Sequence, residues 1–254
     1  MVDCSEVSLE SMKKANQIVA GVLEMLQDEV VSGVDTETLD EMAEEYIRSH
    51  DATPAFKGYR GYPKTLTVSI NEQIVHGIPS EDQVVEAGDL VSIDVGARYC
   101  GCFGDSALTI AVEPVDAPAK KLLDVTRRAL YKGINQAREG NRLGAVSNAI
   151  ESFVKPHGFG VVREWAGHFI GKEMHMEPQI PNYGPVDWGP QLKNGMYLAI
   201  EPMVNLGGHE TEVLADGWTV VTKDGSLSAH FEHTVAVTED GPEILSRRKN
   251  EVLI

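Results

Sequence analysis

Apolar residues recur at every third or fourth position near the start of the chain, which is the spacing of an amphipathic helix. The first set comprises Met12, Ala15, Val19, Val22, Leu23 and Leu26. After a candidate helix cap at Asp35 and Thr36, a second set comprises Leu39, Met42, Ala43, Tyr46 and Ile47. This pattern predicts that two helices open the chain.

The hydrophobic stretches that follow are shorter and lie between turn-forming residues, which is typical of strands. They cover residues 66–70, 90–95 and 107–112. Because they follow one another closely, we expect them to pair as an antiparallel meander. The segment from Pro114 to Pro118 then interrupts the pattern.

Beyond this break the same order of elements returns. Helical spacing covers residues 122–137 and 143–154, and strand-like stretches follow at 197–201, 219–222 and 231–237. The repetition suggests an internal duplication in element order alone, since the two parts share no obvious sequence identity.

Length permits one large domain or two small ones, because 254 residues with 42% hydrophobic content can bury a large core. We expect one catalytic α+β domain over residues 1–254, with helices backing a sheet. Its two internal halves would cover roughly residues 1–113 and 119–254.

The charge balance narrows the range of partners. The chain has 39 acidic and 22 basic residues, a formal net charge of -17. Such a surface disfavours non-specific attraction to nucleic acid or to an anionic membrane. We therefore expect neither DNA nor a membrane as a partner.

The cysteines and the N-terminal segment bear on cellular location. Cys4, Cys100 and Cys102 are spaced neither as a disulfide framework nor as a zinc knuckle, so we expect free thiols in a reducing cytoplasm. Ligation of a soft metal by Cys100 and Cys102 is an alternative, but two cysteines one residue apart seldom bind one ion. No secretion signal and no apolar run of roughly 18 residues is visible.

Five side chains in separate segments could ligate a metal, namely Asp94, Asp105, His168, Glu201 and Glu232. A carboxylate-rich set with one imidazole favours a pair of divalent cations over a single structural zinc, because bridging carboxylates neutralise two nearby charges. The set therefore indicates metal-assisted hydrolysis. Taken singly, each residue is explained equally well as a surface charge or a satisfied polar group.

The segments around the first two acids favour a shared site. Alternation places Asp94 on one face of a half-buried strand, where an acid is costly unless it is paired or metal-bound. Glycines at positions 96, 101 and 104 suit a chain reversal that would return Asp105 to the side of Asp94.

The other three candidates also lie in suitable contexts. His168 has glycine before it, which permits close backbone approach, and Glu201 ends an apolar strand before Pro202. Glu232 is expected to share a strand face with His230 and Thr234.

Short motifs connect these residues to a known family. They lie at residues 58–64, 75–79, 93–95, 104–105, 167–168, 175–178, 200–202 and 231–234, with the sequences GYRGYPK, VHGIP, IDV, GD, GH, HMEP, IEP and FEHT. With these motifs nearly the whole chain resembles the type I methionine aminopeptidases of the pita-bread metallopeptidase family. That fold consists of two pseudo-symmetric halves, each of two helices and a sheet, around a central dinuclear metal site.

The resemblance implies a division of the ligands. Asp94, Asp105 and Glu232 would hold one divalent ion, and Asp105, His168, Glu201 and Glu232 the other. Four carboxylates offset four positive charges, so a bridging water could lose a proton near neutral pH and attack the first peptide carbonyl. Oxygen and nitrogen ligands of this kind suit cobalt, manganese, iron or zinc.

The resemblance also implies roles for residues near the metals. His175 would stabilise the oxyanion and His76 would contact the scissile amide, although a plain loop histidine remains the alternative for His76. Glu201 could move a proton besides binding metal.

A pocket for the substrate methionine would be formed by Phe56, Tyr59, Tyr62, Thr67, Met174 and Trp218. Aromatic and thioether walls suit a flexible thioether guest, and a narrow groove would favour a small second residue by steric exclusion. Without the resemblance, most of these would be assigned to the core.

Five positions limit or extend the assignment of the family's residue roles to this chain. Arg60, Phe169 and Met174 depart from residues common in the family, and Phe169 could redirect His168 or narrow the groove. Asn71 and Ser228 match positions that help to bind a monovalent cation in some relatives.

The predicted function is removal of the initiator methionine from nascent polypeptide N-termini by a cytoplasmic monomer. A transient ribosome contact through residues 247–249 is an additional hypothesis. Three alternatives remain. A prolidase would need an N-terminal domain for which this chain has no room, a partner-binding relative without catalysis is disfavoured by the complete ligand set, and a dimetal phosphoesterase is disfavoured because no basic cluster is present.

Overall fold

The computed structural model describes residues 8–249 and 251. Within them the chain forms four α-helices and fifteen short or long strands. The helices are α1 (Leu9–Glu29), α2 (Thr36–Ser49), α3 (Ala117–Ile134) and α4 (Leu143–Val154).

The strands fall on both sides of the break at Pro114. Those before it are β1 (Thr53–Pro54), β2 (Leu66–Ile70), β3 (Gln73–Val75), β4 (Leu90–Tyr99) and β5 (Cys102–Ala111). Those after it are β6 (Gly160–Val161), β7 (Gly167–Phe169), β8 (Met176–Ile180), β9 (Tyr197–Ile200), β10 (Met203–Asn205), β11 (Thr211–Val213), β12 (Val220–Thr222), β13 (Ser228–His230), β14 (His233–Thr238) and β15 (Gly241–Ile244).

Two larger sheets and two small ones organise these strands. In the first, β4 pairs with β5 along one edge and with β2 and β1 along the other. The second has the order β15-β14-β9-β7-β8. The small sheets have the orders β13-β10-β6 and β11-β12-β3, so that β3 pairs with a strand of the second half. The mixed architecture confirms the predicted α+β class.

The first two helices form where the sequence predicts them. The Asp35 side chain accepts a hydrogen bond from the Thr38 amide at 2.8 Å, so Asp35 is the cap and Thr36 the first helical residue. A capping box between Ser8 and Ser11 begins α1. The apolar faces of both helices are buried in the main core.

The predicted meander is confirmed, but two of its strands, β4 and β5, are longer than the hydrophobic pattern indicates. β4 and β5 pair over their full length, and the chain reverses at Cys100 and Gly101. Gly96 and Gly104 therefore lie inside strands. Their register still places Asp105 opposite Gly96, two residues beyond Asp94 on the same face, because strand side chains alternate.

Two other sequence expectations require correction. The predicted strand at 231–237 is interrupted, because Phe231 and Glu232 lie between β13 and β14. Helix α3 ends at Ile134 rather than at residue 137. The division into internal halves at 113 and 119 stays a prediction.

The expectation of free thiols is wrong for one cysteine. Cys102 is a free, buried thiol, whereas Cys100 is disulfide-bonded. Cys4 lies outside the described residues. Among the helices of the described part, none is both long and apolar enough to cross a membrane.

Helix α1 packs unusually closely against the β4–β5 hairpin. A Cβ atom on Gly104 would lie 2.7 Å from the carbonyl carbon of Ala15, and a backbone atom cannot rotate away as a side chain can. The neighbouring Asn16 side chain accepts a hydrogen bond from the Asp105 amide at 3.3 Å. The absence of a side chain at position 104 therefore lets α1 support the strand that carries Asp105.

We predict that Gly104→Ala lowers the free energy of unfolding by roughly 1–3 kcal/mol, because the added methyl group forces α1 away from β5. Urea denaturation of metal-free protein measures the change. Gly171→Ala is the matched control, since its new Cβ would meet only the flexible Met176 sulfur at 3.4 Å. Equal losses in both variants would contradict the proposed close packing.

Candidate metal centre and active site

All five predicted metal ligands line one cavity of about 460 Å³. Asp94 lies on β4, Asp105 on β5 and His168 on β7. Glu201 directly follows β9, and Glu232 lies in the gap between β13 and β14. Strands from both large sheets and one small sheet therefore converge on this site.

The ligand atoms are close enough to share an ion. One ligand atom from each of Asp105, His168 and Glu232 lies within 4.8 Å of the other two. His168 Nε2 lies 3.6 Å from Asp105 Oδ2 and 3.6 Å from Glu201 Oε1. These separations exceed direct hydrogen bonds, and leave room for a cation among the oxygens and the nitrogen.

The backbone fixes the orientation of the imidazole. His168 Nδ1 donates to the Phe169 carbonyl at 3.0 Å, so that Nε2 is the nitrogen with a free lone pair toward the carboxylates. The Phe169 side chain itself packs in the main core, on the other side of the strand. It therefore does not narrow the groove, contrary to one of the two effects considered from the sequence.

Burial and mutual repulsion disfavour the charged forms of the four carboxyl groups. Burial first, and the negative charge of neighbouring carboxylates second, raise the pKa of Asp94, Glu201 and Glu232 well above the usual range. Burial does the same for the pKa of Asp105. Within this cluster Asp94 Oδ1, Asp105 Oδ1 and Glu232 Oε1 are buried without a hydrogen-bond partner.

Unpaired, converging carboxylate oxygens beside one imidazole are the donor set of a divalent cation site. A cation would supply the missing partner for each orphaned oxygen and remove the mutual repulsion. The side chains present therefore fit divalent metal binding.

Two further histidines lie beside the cluster. His175 Nδ1 lies 3.0 Å from the Tyr59 hydroxyl, and its ring centroid lies 4.3 Å from that of His168. His76 has a left-handed backbone with a φ of 61° and packs edge-on against Trp165. Burial lowers the pKa of His76 to about 4, and desolvation followed by nearby positive charge lowers that of His175 to about 3. Both rings are therefore neutral at pH 7.

A left-handed backbone is uncommon for a residue with a side chain, and such strain is concentrated at functional sites. This geometry is consistent with a functional role for His76, which stays a prediction beside the plain loop histidine.

Most of the predicted methionine pocket is assembled. Phe56, Tyr62 and Met174 form a buried cluster against which Tyr59 and Trp218 pack. Thr67 lies opposite Asp94 in the β2–β4 pairing and lines the cavity.

Met174 is the exception on the cavity surface. It is 1% exposed and is not among the described residues that line the cavity, so it lies behind the aromatic wall. The sequence could not distinguish a wall residue from one that supports the wall.

Several cavity residues were not selected from the sequence, notably Val75, Glu164, Trp165, Glu177 and Met203. Val75 and Glu177 lie inside the motifs and Met203 directly follows one, so their positions carried a signal, whereas Glu164 and Trp165 adjoin no motif. Arg60 also lines the cavity, where its guanidinium lies 5.3 Å from the centre of the Tyr59 ring.

The segments of the predicted monovalent-cation site are in contact. The Ser228 amide donates to the Asn71 carbonyl at 2.9 Å, and Asn71 has a φ of 59°. The cation itself stays a prediction.

Comparison with known proteins places this geometry in a context. A family model described as metallopeptidase family M24 matches residues 10–239. A methionine aminopeptidase 1 of Bacillus subtilis is 50% identical over 236 residues, which cover 93% of this chain and 95% of that protein. A methionine aminopeptidase of Clostridium acetobutylicum is 46% identical, with coverage of 95% and 97%.

Solved structures show the same similarity. The crystal structure of a methionine aminopeptidase from Thermotoga maritima has a TM-score of 0.93 and 46% identity, covering 94% of this chain and 96% of that one. A prolidase from Pyrococcus furiosus has a TM-score of 0.77 at 23% identity and is covered over 64% of its length. The latter similarity shows a common pita-bread fold only.

We predict that the stability difference between metal-loaded and metal-free protein grows as pH rises from about 5 to 8. Carboxyl groups whose pKa is raised by folding favour the folded state most below about pH 4, and lose that contribution as pH rises through the folded-state pKa. Bound cations cancel the loss. Thermal unfolding in a fixed concentration of manganese and in chelator measures the difference, which is roughly 2.7 kcal/mol at the pH where that concentration is 100 times Kd.

Glu232→Gln is the matched variant for this measurement. Loss of one negative charge should raise the stability of the metal-free protein at pH 8 and reduce the stabilisation by metal. Parallel pH curves for metal-loaded and metal-free wild-type protein would contradict the interpretation.

Proposed function

The chain belongs to metallopeptidase family M24, and on this premise we propose that it removes the initiator methionine from nascent polypeptides, with a preference for a small second residue. The observation that carries the proposal is the convergence of Asp94, Asp105, His168, Glu201 and Glu232 on one cavity beside an aromatic pocket. The full-length similarity to proteins named methionine aminopeptidases supports the same substrate.

We propose two divalent ions, cobalt, manganese, iron or zinc, as the cofactor. Asp94, Asp105 and Glu232 would hold one ion, and Asp105, His168, Glu201 and Glu232 the other. When bound, such ions supply positive charge that acidifies water and polarises a carbonyl. A monovalent cation near Asn71 and Ser228 remains part of the proposal.

Glu201 is suited to move a proton as well as to bind metal. It lies at the wall of the cavity with its side chain 14% exposed, whereas the side chain of Asp105 is 5% exposed and Glu232 is buried. Water and substrate can therefore reach Glu201 more readily than the other two acids. A carboxyl group with a raised pKa accepts and returns a proton closer to neutral pH than an ordinary one does.

His175 is suited to stabilise the oxyanion. If the Tyr59 hydroxyl donates to Nδ1, the single proton of the neutral ring lies on Nε2, where it can be donated to an oxygen that gains charge. His76, held by its strained backbone between the rings of Trp165 and Trp218, would contact the scissile amide.

Substrate selection follows from the shape and polarity of the wall. Phe56, Tyr59, Tyr62 and Trp218 offer apolar surface to an unbranched thioether, with Thr67 beside them and Met174 behind. A narrow passage beside the metal-binding side chains would exclude a bulky second residue sterically. Arg60, whose guanidinium is the one Lys or Arg group in the described lining, would contact residues farther along the peptide.

The substrate is the N-terminus of a newly made chain, so we place the reaction in the cytoplasm, where such chains are made. We propose a monomer that requires neither DNA nor a membrane. Support for a ribosome contact through residues 247–249 is weaker than the sequence suggested, because Arg248 is buried and paired with Glu251. Only Arg247 and Lys249 of that segment are exposed.

We expect chelator-stripped protein supplied with manganese or cobalt to release methionine from Met-Ala-Ser, but no amino acid from Leu-Ala-Ser or Pro-Ala-Ser. Met-Leu-Ser should be a poor substrate because of its bulky second residue. Chromatography of the released amino acids measures each reaction. No release with either metal, despite bound ions, would favour a partner-binding relative without catalysis.

We expect His175→Ala to lower kcat by roughly 10²–10³-fold, the usual cost of one lost oxyanion donor. Tyr59→Phe retains the ring but removes the hydroxyl that orients His175, so it should lower kcat by a smaller factor. Steady-state kinetics on Met-Ala-Ser separate kcat from KM. A His175→Ala variant that changes KM alone would indicate substrate binding instead of transition-state stabilisation.

A further inference from the structure

His230 is a buried histidine whose side chain the proposed chemistry does not use. It is the last residue of β13 and is 1% exposed. Thr109 holds its backbone on both sides, because the Thr109 hydroxyl oxygen accepts from the His230 amide at 2.8 Å and donates to the His230 carbonyl at 2.9 Å. The position of this ring is therefore set by two neighbouring strands.

The His230 ring nitrogen Nε2 is buried without a hydrogen-bond partner. A buried polar group in this state is unfavourable, so a partner is expected in the working enzyme. Glu201 Oε2 lies 3.9 Å away. Closing this distance to a hydrogen bond requires a shift of roughly 1 Å, which a small rotation of the glutamate side chain provides.

Glu201 lies between two imidazoles, and each imidazole lies near a different oxygen of the Glu201 carboxylate. His168 Nε2 lies 3.6 Å from Oε1, and His230 Nε2 lies 3.9 Å from Oε2. His168 presents a lone pair at this nitrogen, since its Nδ1 donates to a carbonyl. Oε1 and His168 are thus placed to share a cation, which leaves Oε2 for a hydrogen-bond donor.

We propose that His230 is a positioning residue, which donates from Nε2 to Glu201 Oε2 and thereby turns Glu201 Oε1 toward the metal-binding side chains. Carboxylate ligands to metals are commonly held by such partners, and loss of the partner typically weakens metal binding or activity 10–100-fold. This inference rests on the proposed metal centre, but it does not depend on the identity of the substrate.

The test compares His230→Leu, which removes the donor at similar volume, with His230→Gln, which restores an N–H donor. Titration of chelator-stripped protein with cobalt gives the affinity, the number of bound ions and the visible absorption spectrum of bound cobalt. Unfolding of the metal-free proteins and kinetics on Met-Ala-Ser complete the comparison.

We expect His230→Leu to bind one cobalt ion roughly 10–100-fold more weakly, with an altered spectrum, the same number of ions at saturation and a kcat reduced more than KM is raised. His230→Gln should recover most of the affinity. The metal-free His230→Leu protein should be at least as stable as wild type, because an unpaired buried nitrogen is removed. A purely structural role predicts the opposite, namely a less stable metal-free protein.

Two results would overturn the proposal. Unchanged cobalt affinity and spectrum in His230→Leu would mean that His230 does not position Glu201. Loss of one bound ion in both variants, without recovery in His230→Gln, would mean that His230 ligates metal directly. Failure of wild-type protein to release methionine would refute the proposed function instead, while the cobalt titrations would still report on His230.

Discussion

Mutual repulsion among four carboxyl groups is the constraint on which the rest of this structure depends. Asp94, Asp105, Glu201 and Glu232 meet beside the imidazole of His168 at one cavity, and three of them present a buried oxygen without a partner. In the absence of cations, folding forces these groups either to take up protons or to remain charged close together. The fold therefore carries a local energetic cost that cation binding offsets, so metal affinity and stability are coupled.

The surrounding structure holds the side chains of this site rigidly in place. The β4–β5 hairpin fixes two of the acids in register, and α1 approaches it as closely as a glycine permits. The Phe169 carbonyl fixes the His168 ring, and Thr109 fixes the backbone of His230. Each support is a hydrogen bond or backbone contact inside the core, where alternative conformations would leave polar groups unpaired.

The side chains proposed to select the substrate differ in type from those proposed to bind metal in the same cavity. The metal-binding side is acidic, whereas the pocket side is mainly aromatic, with Phe56, Tyr62 and Trp218 packed in one cluster with Met174. Such a division separates the reacting groups from the groups that would recognise the substrate. Apolar contacts favour a side chain that fits, and they leave the neighbouring charges unchanged. The neutral histidines 76 and 175 lie between the two sides.

The sequence by itself determined the helices and the main strands, and it predicted five metal ligands that the structure brings to one cavity. Helix and strand periodicity is a local property, and the acids stand out because charged groups inside apolar strands require compensation. The cavity, which contains all five predicted ligands, agrees with that reasoning. The roles of these residues stay predictions.

Tertiary structure decided what depends on contacts between distant segments. It interrupted the strand at Glu232, buried Arg248 against Glu251, paired Cys100 through a disulfide, and withdrew Met174 behind the pocket wall. It also placed His230, which lies in a separate sheet, close to Glu201. Local patterns report which face of an element is buried, but the partner that covers that face is fixed only when distant segments compete for the same space.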